Sequence, residues 1–356
     1  MSDNFEKSTD IIQTDLLNNI PDTYQKTVGF PVYDITRSFS MAESALYSAI
    51  NKVYRLQDVN NLTGDDLTKY VLQRRGIIRH LATYAAVQLS VTGTGTVSKG
   101  SVFSTVGGID FIADATTVIT GSGTINLTCT QPGSLGNVLA NTVSQIPVTL
   151  SGITFVTNAL ASAGGYDEEA DAALISRYLL AVQTPPTSGN IYHYQQWALG
   201  CSGVGACKVY PLWNGACTVQ VVIADANMLP ADSTLVNQVQ AIIDPGITGT
   251  GAGNAPIGAY CTITGALGQN INVSLTVSLL PNYVKSAVAS VIQANIVKYL
   301  KTLALTQNYV SYAQIGACIL ASEGVLDYSS LTVNGGTSNV SITDKYVPVV
   351  GTVTVN

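Results

Sequence analysis

The sequence predicts an α+β, multidomain protein: a helical N-terminal head, a small all-β domain, then two α+β sandwich-like modules. Three observations carry this. Apolar residues recur at helical spacing up to about residue 75 and alternate with period two from residue 81. Charge is unevenly spread, with nine of the 16 Lys and Arg and ten of the 22 acids inside residues 1–90. Beyond Gly164, helix patterns alternate with short valine-rich strand patterns. The expected limits are 1–90 for an arm and helical assembly head, 91–163 for the all-β domain, 164–264 for the first α+β module and 265–356 for the second.

A chain of 356 residues is long enough to bury several cores. Only 11 % of it is charged, against about 25 % in an average globular protein. Apolar residues make up 46 % and the mean hydropathy is +0.28, so the surface must be built largely from Thr, Ser, Asn, Gln and Gly. That composition excludes disorder for most of the chain, and a pI near 4.8 offers nucleic-acid phosphates nothing to hold. No stretch reaches the ~18 consecutive apolar residues of a membrane helix. Met1 to Asp10 lacks the basic start and apolar core of a secretory signal, so membrane insertion and general secretory export are not expected. Six cysteines without a C-x-x-C pair read as reduced, buried thiols of a protein made in the cytoplasm.

Taken in order, Ile11–Ile20 reads as a short helix within an arm where Pro21 and Pro31 break any longer one. Ser40 with Glu43 fits a capping box opening a helix to about residue 57. A second helix, Asp65–Arg75, follows Thr63 and stops at Gly76. Leu81, Ala85, Val87, Leu89 and Val91 share one parity, the mark of a strand with one buried face. Short strands are expected at Ser101–Thr105, Asp110–Ala113, Thr124–Thr130 and Ile153–Thr157, with turns at Gly107-Gly108, Gly121-Ser122-Gly123 and Pro132-Gly133.

Asp167, Glu168, Glu169 and Asp171 read as the acidic first turn of a helix running to about Val182 and ended by Pro185-Pro186. Helices Asn190–Leu199, Ser233–Ile243 and Val284–Leu303 then alternate with strands Ala206–Tyr210, Thr218–Ala224, Tyr260–Thr264 and Asn270–Leu280. A faint duplication links Tyr194, Gly203-Val204 and Asn214-Gly215 to Tyr312, Gly324-Val325 and Asn334-Gly335.

Residues for catalysis are scarce. The two histidines, His80 and His193, have no nucleophile-and-orienter pattern around them. His193 with Cys201, Cys207 and Cys217 can be written as a zinc site, but the spacing fits no finger, and no metal is expected. The acids from Asp167 to Asp171 are consecutive rather than spread around a cleft, unlike a glycosidase pair. Neither Gly93-Thr94-Gly95 nor Gly246–Gly253 leads into a Lys-Ser or Lys-Thr helix start, so no nucleotide site is expected. Trp197 and Trp213 read as core anchors. No enzyme activity and no cofactor are expected.

The order of segments resembles the baseplate J-like family. Ser98 to Phe103 followed by Asp110-Phe111 looks like the family's "aGt.F.t..G..f" region, and Pro132 to Asn137 like its "G..GN" turn. Gly164, Gly165, Asp167, Glu169 and Asp171 with Arg177 are similar to "GG.D.E.D…R". Pro185, Gly189, Tyr194, Trp197-Ala198, Gly203-Val204, Val209-Tyr210-Pro211 and Pro256 to Ala259 continue in the expected sequence, though the 246–253 loop lacks an arginine that relatives often carry.

The resemblance implies a non-catalytic wedge of the baseplate in a contractile phage tail or related injection particle. Its copies would pair with each other and with a smaller wedge protein through their N-terminal helices, and would join in a six-fold ring around the central hub, near sheath-proximal proteins. Leu46, Tyr47, Ile50, Val53 and Tyr54, at helical and heptad spacing, are the expected partner surface. Two other classes stay open on sequence alone: a secreted adhesin or surface-layer-type protein, and a tail-associated glycan hydrolase.

Overall fold

The computed structural model describes residues 6–184 and 187–356, so the expected helix stop at Pro185-Pro186 lies outside the described residues. Among the described residues there are eight α-helices and fourteen strands, a mixed α+β architecture as the sequence predicts. Two compact units divide the chain: one reaches Ile78 and takes in Asp171–Ile175, the other holds Arg79–Ala170 and Ser176–Asn356.

The first unit is helical. Helix α1 (Thr9–Asn18) is capped by the Ser8 hydroxyl, which accepts from the Ile11 N–H. Helix α2 (Pro31–Arg55) begins nine residues before the expected start at Ser40. Pro31 stands in its first turn, where a missing N–H costs nothing, and so begins the helix it was expected to break. Ser40 and Glu43 are therefore interior residues, not a capping box; the buried Ser40 hydroxyl donates to the Arg37 carbonyl at 2.8 Å. Helix α3 (Gly64–Arg75) ends at Gly76, as expected.

The second unit begins with a nearly closed antiparallel sheet. Its strands are β1 (Tyr84–Val97), β2 (Val102–Thr105), β3 (Asp110–Ala113), β4 (Thr117–Pro132), β5 (Val143–Gln145) and β6 (Ile153–Thr157), in the order β5-β2-β3-β4-β1-β6. The alternation along β1 places Ala85, Val87, Leu89 and Val91 in the core beside Phe103, Phe111 and Leu127. Leu81 precedes the strand and is exposed, against expectation. Gly121-Ser122-Gly123 is not a turn either: it lies inside β4, where Gly121 pairs with Gly93 of β1. Both glycines have positive φ, and a Cβ on Gly93 would collide with the backbone at Gly152 and Ile153, so the pair lets two long strands bend around the barrel. Between the outer strands β5 and β6, the buried Asn158 accepts from Val143 N and donates to the Leu139 and Leu160 carbonyls.

Next come α4 (Asp171–Gln183), α5 (Ile191–Gly200), β7 (Val204–Pro211), β8 (Thr218–Asp225), α6 (Ser233–Ile243) and β9 (Tyr260–Gly265). In their sheet β8 is central, antiparallel to β7 and parallel to β9. The remainder holds β10 (Leu267–Leu279), α7 (Lys285–Lys301), β11 (Tyr309–Val310), α8 (Tyr312–Leu320), β12 (Val325–Val333), β13 (Val340–Ser341) and β14 (Tyr346–Val355). Here β10 is central, antiparallel to β12 and parallel to β14.

Both faces of β8 are buried. Val221 and Ile223 join the α5–α6 core, while Val222 and Ala224 pack with Ala266, Ala304 and Val347. The duplication read from sequence survives as a local echo. Gly203 and Gly324, at φ 91° and 90°, each link a helix to an edge strand antiparallel to the central one. The wiring differs, because β7 pairs with the strand after it and β12 with a strand before it.

Candidate assembly surface and motif junction

Helix α2 carries apolar residues on a 3.5-residue repeat: Val32, Ile35, Phe39, Ala42, Leu46, Ala49 and Val53, continued by Leu56 at its C-cap. This seam faces outward, with Phe39, Leu46 and Val53 65 %, 59 % and 62 % exposed. The face of α2 toward α1 is instead polar. Gln13 Nε2 donates to the Tyr33 carbonyl and Thr36 Oγ1, Arg37 pairs with Asp10 at 2.7 Å, and the Ser44 hydroxyl donates to the Lys7 carbonyl. Polar residues inside and apolar residues outside invert the usual amphipathic helix.

Leu46, Ile50, Val53 and Tyr54 are exposed, and the last three line a shallow cleft of about 370 Å³ with Ala49 and Gln57. Tyr47 turns away from this seam: it is half-buried, and the Lys7 ammonium stands 5.8 Å from its ring. Reading the heptad from Val32 rather than from Leu46 is the signal that would have shown the seam's full length.

The segment from Gly164 to Ala170 is not helical, and α4 starts only at Asp171. The four acids are thus not one macrodipole cap; Asp167, Glu169 and Asp171 each hold a different partner. Asp167 accepts from the Ser134 N–H and hydroxyl at 2.8 and 2.9 Å, and these bonds hold its carboxyl below the usual range. Glu169 accepts from Arg177 Nε and Nη2 at 2.6 and 2.7 Å and from the His80 N–H at 3.1 Å. Asp171 accepts from the Gly64 N–H at 3.0 Å. The exposed Glu168 lies 3.9 Å from Arg79 Nε.

Gly164, at φ +84°, leads into Gly165, which exchanges two hydrogen bonds with the Asn137 side chain; a Cβ on Gly165 would stand 2.9 Å from Asn137 Oδ1. Sequence reasoning missed Thr83, whose hydroxyl donates to the Gly164 carbonyl and accepts from the Tyr166 N–H. It also missed Arg79, which donates to the Glu169 carbonyl. His80 Nε2 stands 3.2 Å from the Gly200 carbonyl. Burial, then the Arg177 charge, lowers the His80 pKa, against an opposing pull from Glu169.

His193 and the cysteines named with it make separate local contacts. The His193 ring lies 3.9 Å from that of Trp197, and its Nδ1 accepts from the Gly189 N–H. Cys201 and Cys207 donate to the Trp197 and Gln195 carbonyls, and burial pushes the Cys207 thiol up to about 12. Cys217 is exposed. Among the described residues, no group of three His, Cys, Asp or Glu side chains could hold a metal. The N–H groups of Thr248 and Gly249 in the glycine-rich loop, with that of Cys261, are taken by the buried Asp244 carboxylate. Trp197 packs on the α5–α6 core, edge-on to Tyr194 at 5.1 Å; Trp213 is exposed, with Lys345 5.6 Å from its ring, and anchors no core.

A barrel, two α+β modules and a motif whose acids bind chain segments to one another describe a scaffold-type architecture. Family models match all three parts of the body: the baseplate J-like protein barrel domain over residues 86–165, the baseplate J-like central domain over 186–265 and the baseplate J-like protein C-terminal domain over 271–356. The phage-like element PBSX protein XkdT of Bacillus subtilis (strain 168) is 30 % identical over 353 residues, covering 98 % of each chain. Baseplate protein gp47 of Escherichia phage Mu is 30 % identical over 230 residues, 61 % of this chain and 63 % of that protein. A chain in the cryo-EM structure of the anti-feeding prophage baseplate, 6-fold symmetrised, matches with a TM-score of 0.40 at 12 % identity, covering 95 % of this chain and 89 % of that one. The chain belongs to the baseplate J-like family, as its motifs led us to expect.

Proposed function

We propose that the chain is a non-catalytic wedge component of a phage-type tail baseplate, made in the bacterial cytoplasm and carried in the tail of the finished particle. It assembles with a second copy and with a smaller wedge protein through its N-terminal helices. The wedges then join in a six-fold ring around the hub.

The observation that supports this reading most is the exposed heptad seam of α2. Seven of its positions lie within the helix, between Val32 and Val53, about 30 Å of helix at 1.5 Å per residue. An apolar stripe of that length is costly to leave in water, and a facing helix covers it by knobs-into-holes packing. The few charges of the β-rich body accord with subunit contacts, where charged residues are depleted at the interface core. In the motif, Asp167, Glu169 and Arg177 are engaged in structural bonds, which supports a scaffold rather than acid–base chemistry.

Electron microscopy of the particle made with and without this chain, together with co-purification of its neighbours, tests the proposal. A wedge should appear in six equivalent positions around the hub, and its loss should stop baseplate assembly. Finding the chain on the tail tube or fibres, or intact baseplates without it, would overturn the reading.

A further inference from the structure

The segments entering and leaving the barrel run side by side beyond its last bridge. Ala86 and Ala163 exchange two backbone bonds; further out, Thr83 N–H donates to the Tyr166 carbonyl and Glu169 N–H donates to the His80 carbonyl. These three rungs keep one antiparallel register, but the outer two each have a single backbone bond. A side chain supplies the other half: Thr83 Oγ1 accepts from Tyr166 N–H, and Glu169 Oε2 accepts from His80 N–H. The outermost rung is also the one with the buried ion pair, Glu169 and Arg177 being 7 % and 13 % exposed in a chain with few charges. Between the rungs, Leu81 is exposed and contributes no core packing.

We propose that this paired stalk is a strap that unzips as one unit, with the Glu169–Arg177 pair as its latch. The inner bridge belongs to the barrel sheet and stays closed. Apart from the backbone bond from Gly133 N–H to the Thr83 carbonyl, the outer rungs are held to the rest of the chain by side chains (Glu169 with Arg177, Arg79 to the Glu169 carbonyl, Asn137 with Gly165 and Asp167 with Ser134), so they open together at lower free energy than the barrel. Opening from the Glu169 rung back to the start of β1 frees residues 80–83 on one side and 164–169 on the other, about 13 and 20 Å of extended chain. A subunit with such a strap can lengthen the connections at Arg79 and Ala170 without unfolding its body. This device does not depend on the wedge assignment.

Hydrogen-exchange mass spectrometry on the full chain tests it. Peptides covering 79–83 and 164–169 should exchange at one common rate, faster than those from β1 and β4. Glu169→Gln and Arg177→Met should each accelerate both stalk peptides by roughly a hundredfold, with residues 87–97 remaining slower than the stalk in every variant. Thr83→Val, which spares the ion pair, should accelerate the same two peptides. The proposal is overturned if the stalk peptides exchange at the barrel's own rate, in the unsubstituted chain or in the variants. It is also overturned if Thr83→Val disturbs only its own rung.

Discussion

Glu169 and Arg177 are joined by two charge-assisted bonds of 2.6 and 2.7 Å although they are eight residues apart and the start of α4 lies between them. Both side chains are largely buried, so each charge leans chiefly on the other. Removing one partner should cost about 3 kcal/mol, whereas removing both should return most of that loss. A double-mutant cycle of Glu169→Gln and Arg177→Met in urea checks this. A coupling energy of at least about 1.5 kcal/mol is expected, and strict additivity would show that the pair does not act as a unit.

Two groups give the stability opposite slopes with pH. Burial raises the Asp225 pKa to about 6, so the folded chain takes up a proton there before the unfolded one does. That contribution is full below about pH 4 and is lost as the pH rises through 6. The His80 pKa is lowered from 6.5, so its contribution is present above 6.5 and is lost as the pH falls through the lower folded value. Asp225→Asn keeps an oxygen to accept from Asn227 and Leu229, and should stabilise the chain by about 1–2 kcal/mol at pH 7.5 after allowance for partial solvent screening. Melting curves of the variant between pH 4 and 8 should lose the decline that Asp225 causes and keep the acid-side loss from His80.

The closing seam of the barrel gives a third prediction. Asn158 is fully buried, and its amide makes three hydrogen bonds that join the β5 side to the β6 side. Asn158→Ala leaves Val143 N–H and two carbonyls without these partners, for a loss of about 2–4 kcal/mol. Asn158→Asp should be no milder, because its second oxygen would face the Leu139 and Leu160 carbonyls in place of a donor. Chemical denaturation with a barrel-specific probe measures both. An unchanged midpoint for the alanine variant would mean that the seam closes by backbone pairing alone.

Legibility in the sequence followed the range over which each residue acts. The alternation of β1 and the helix start at Asp232, whose side chain accepts from Leu235 N–H, are local patterns, and the expected elements formed there. Ser40–Glu43 also looked local, but a capping box needs a helix that starts nearby, and α2 had already begun at Pro31. Gly121 and Gly123 read as a turn because nothing in one strand reveals that Gly93 lies opposite. The acids from Asp167 to Asp171 were legible as a motif but not as a junction. Their partners Ser134, His80 and Gly64 are 33, 89 and 107 residues away.

The assembly seam leads to the last prediction. Leu46 and Val53 are exposed on α2, seven residues apart on one heptad position, while the face toward α1 is held by polar contacts such as Gln13 to Thr36. Surface substitutions that touch no core usually change stability by less than about 0.5 kcal/mol, so Leu46→Asp with Val53→Asp should leave the melting curve of the isolated chain unchanged. In a helix–helix interface, the same change would bury two unpaired carboxylates in an apolar seam, at several kcal/mol each. A micromolar association is worth about 8 kcal/mol, so the contact should be lost. Gln13→Ala, on the inner face, removes the bonds to Thr36 and the Tyr33 carbonyl and should weaken the α1–α2 pairing without affecting association. Size-exclusion chromatography of this chain co-expressed with the proposed smaller wedge protein separates the two faces. If the double aspartate variant still elutes in the full complex, α2 is not the assembly surface, and the wedge reading loses the observation on which it most depends.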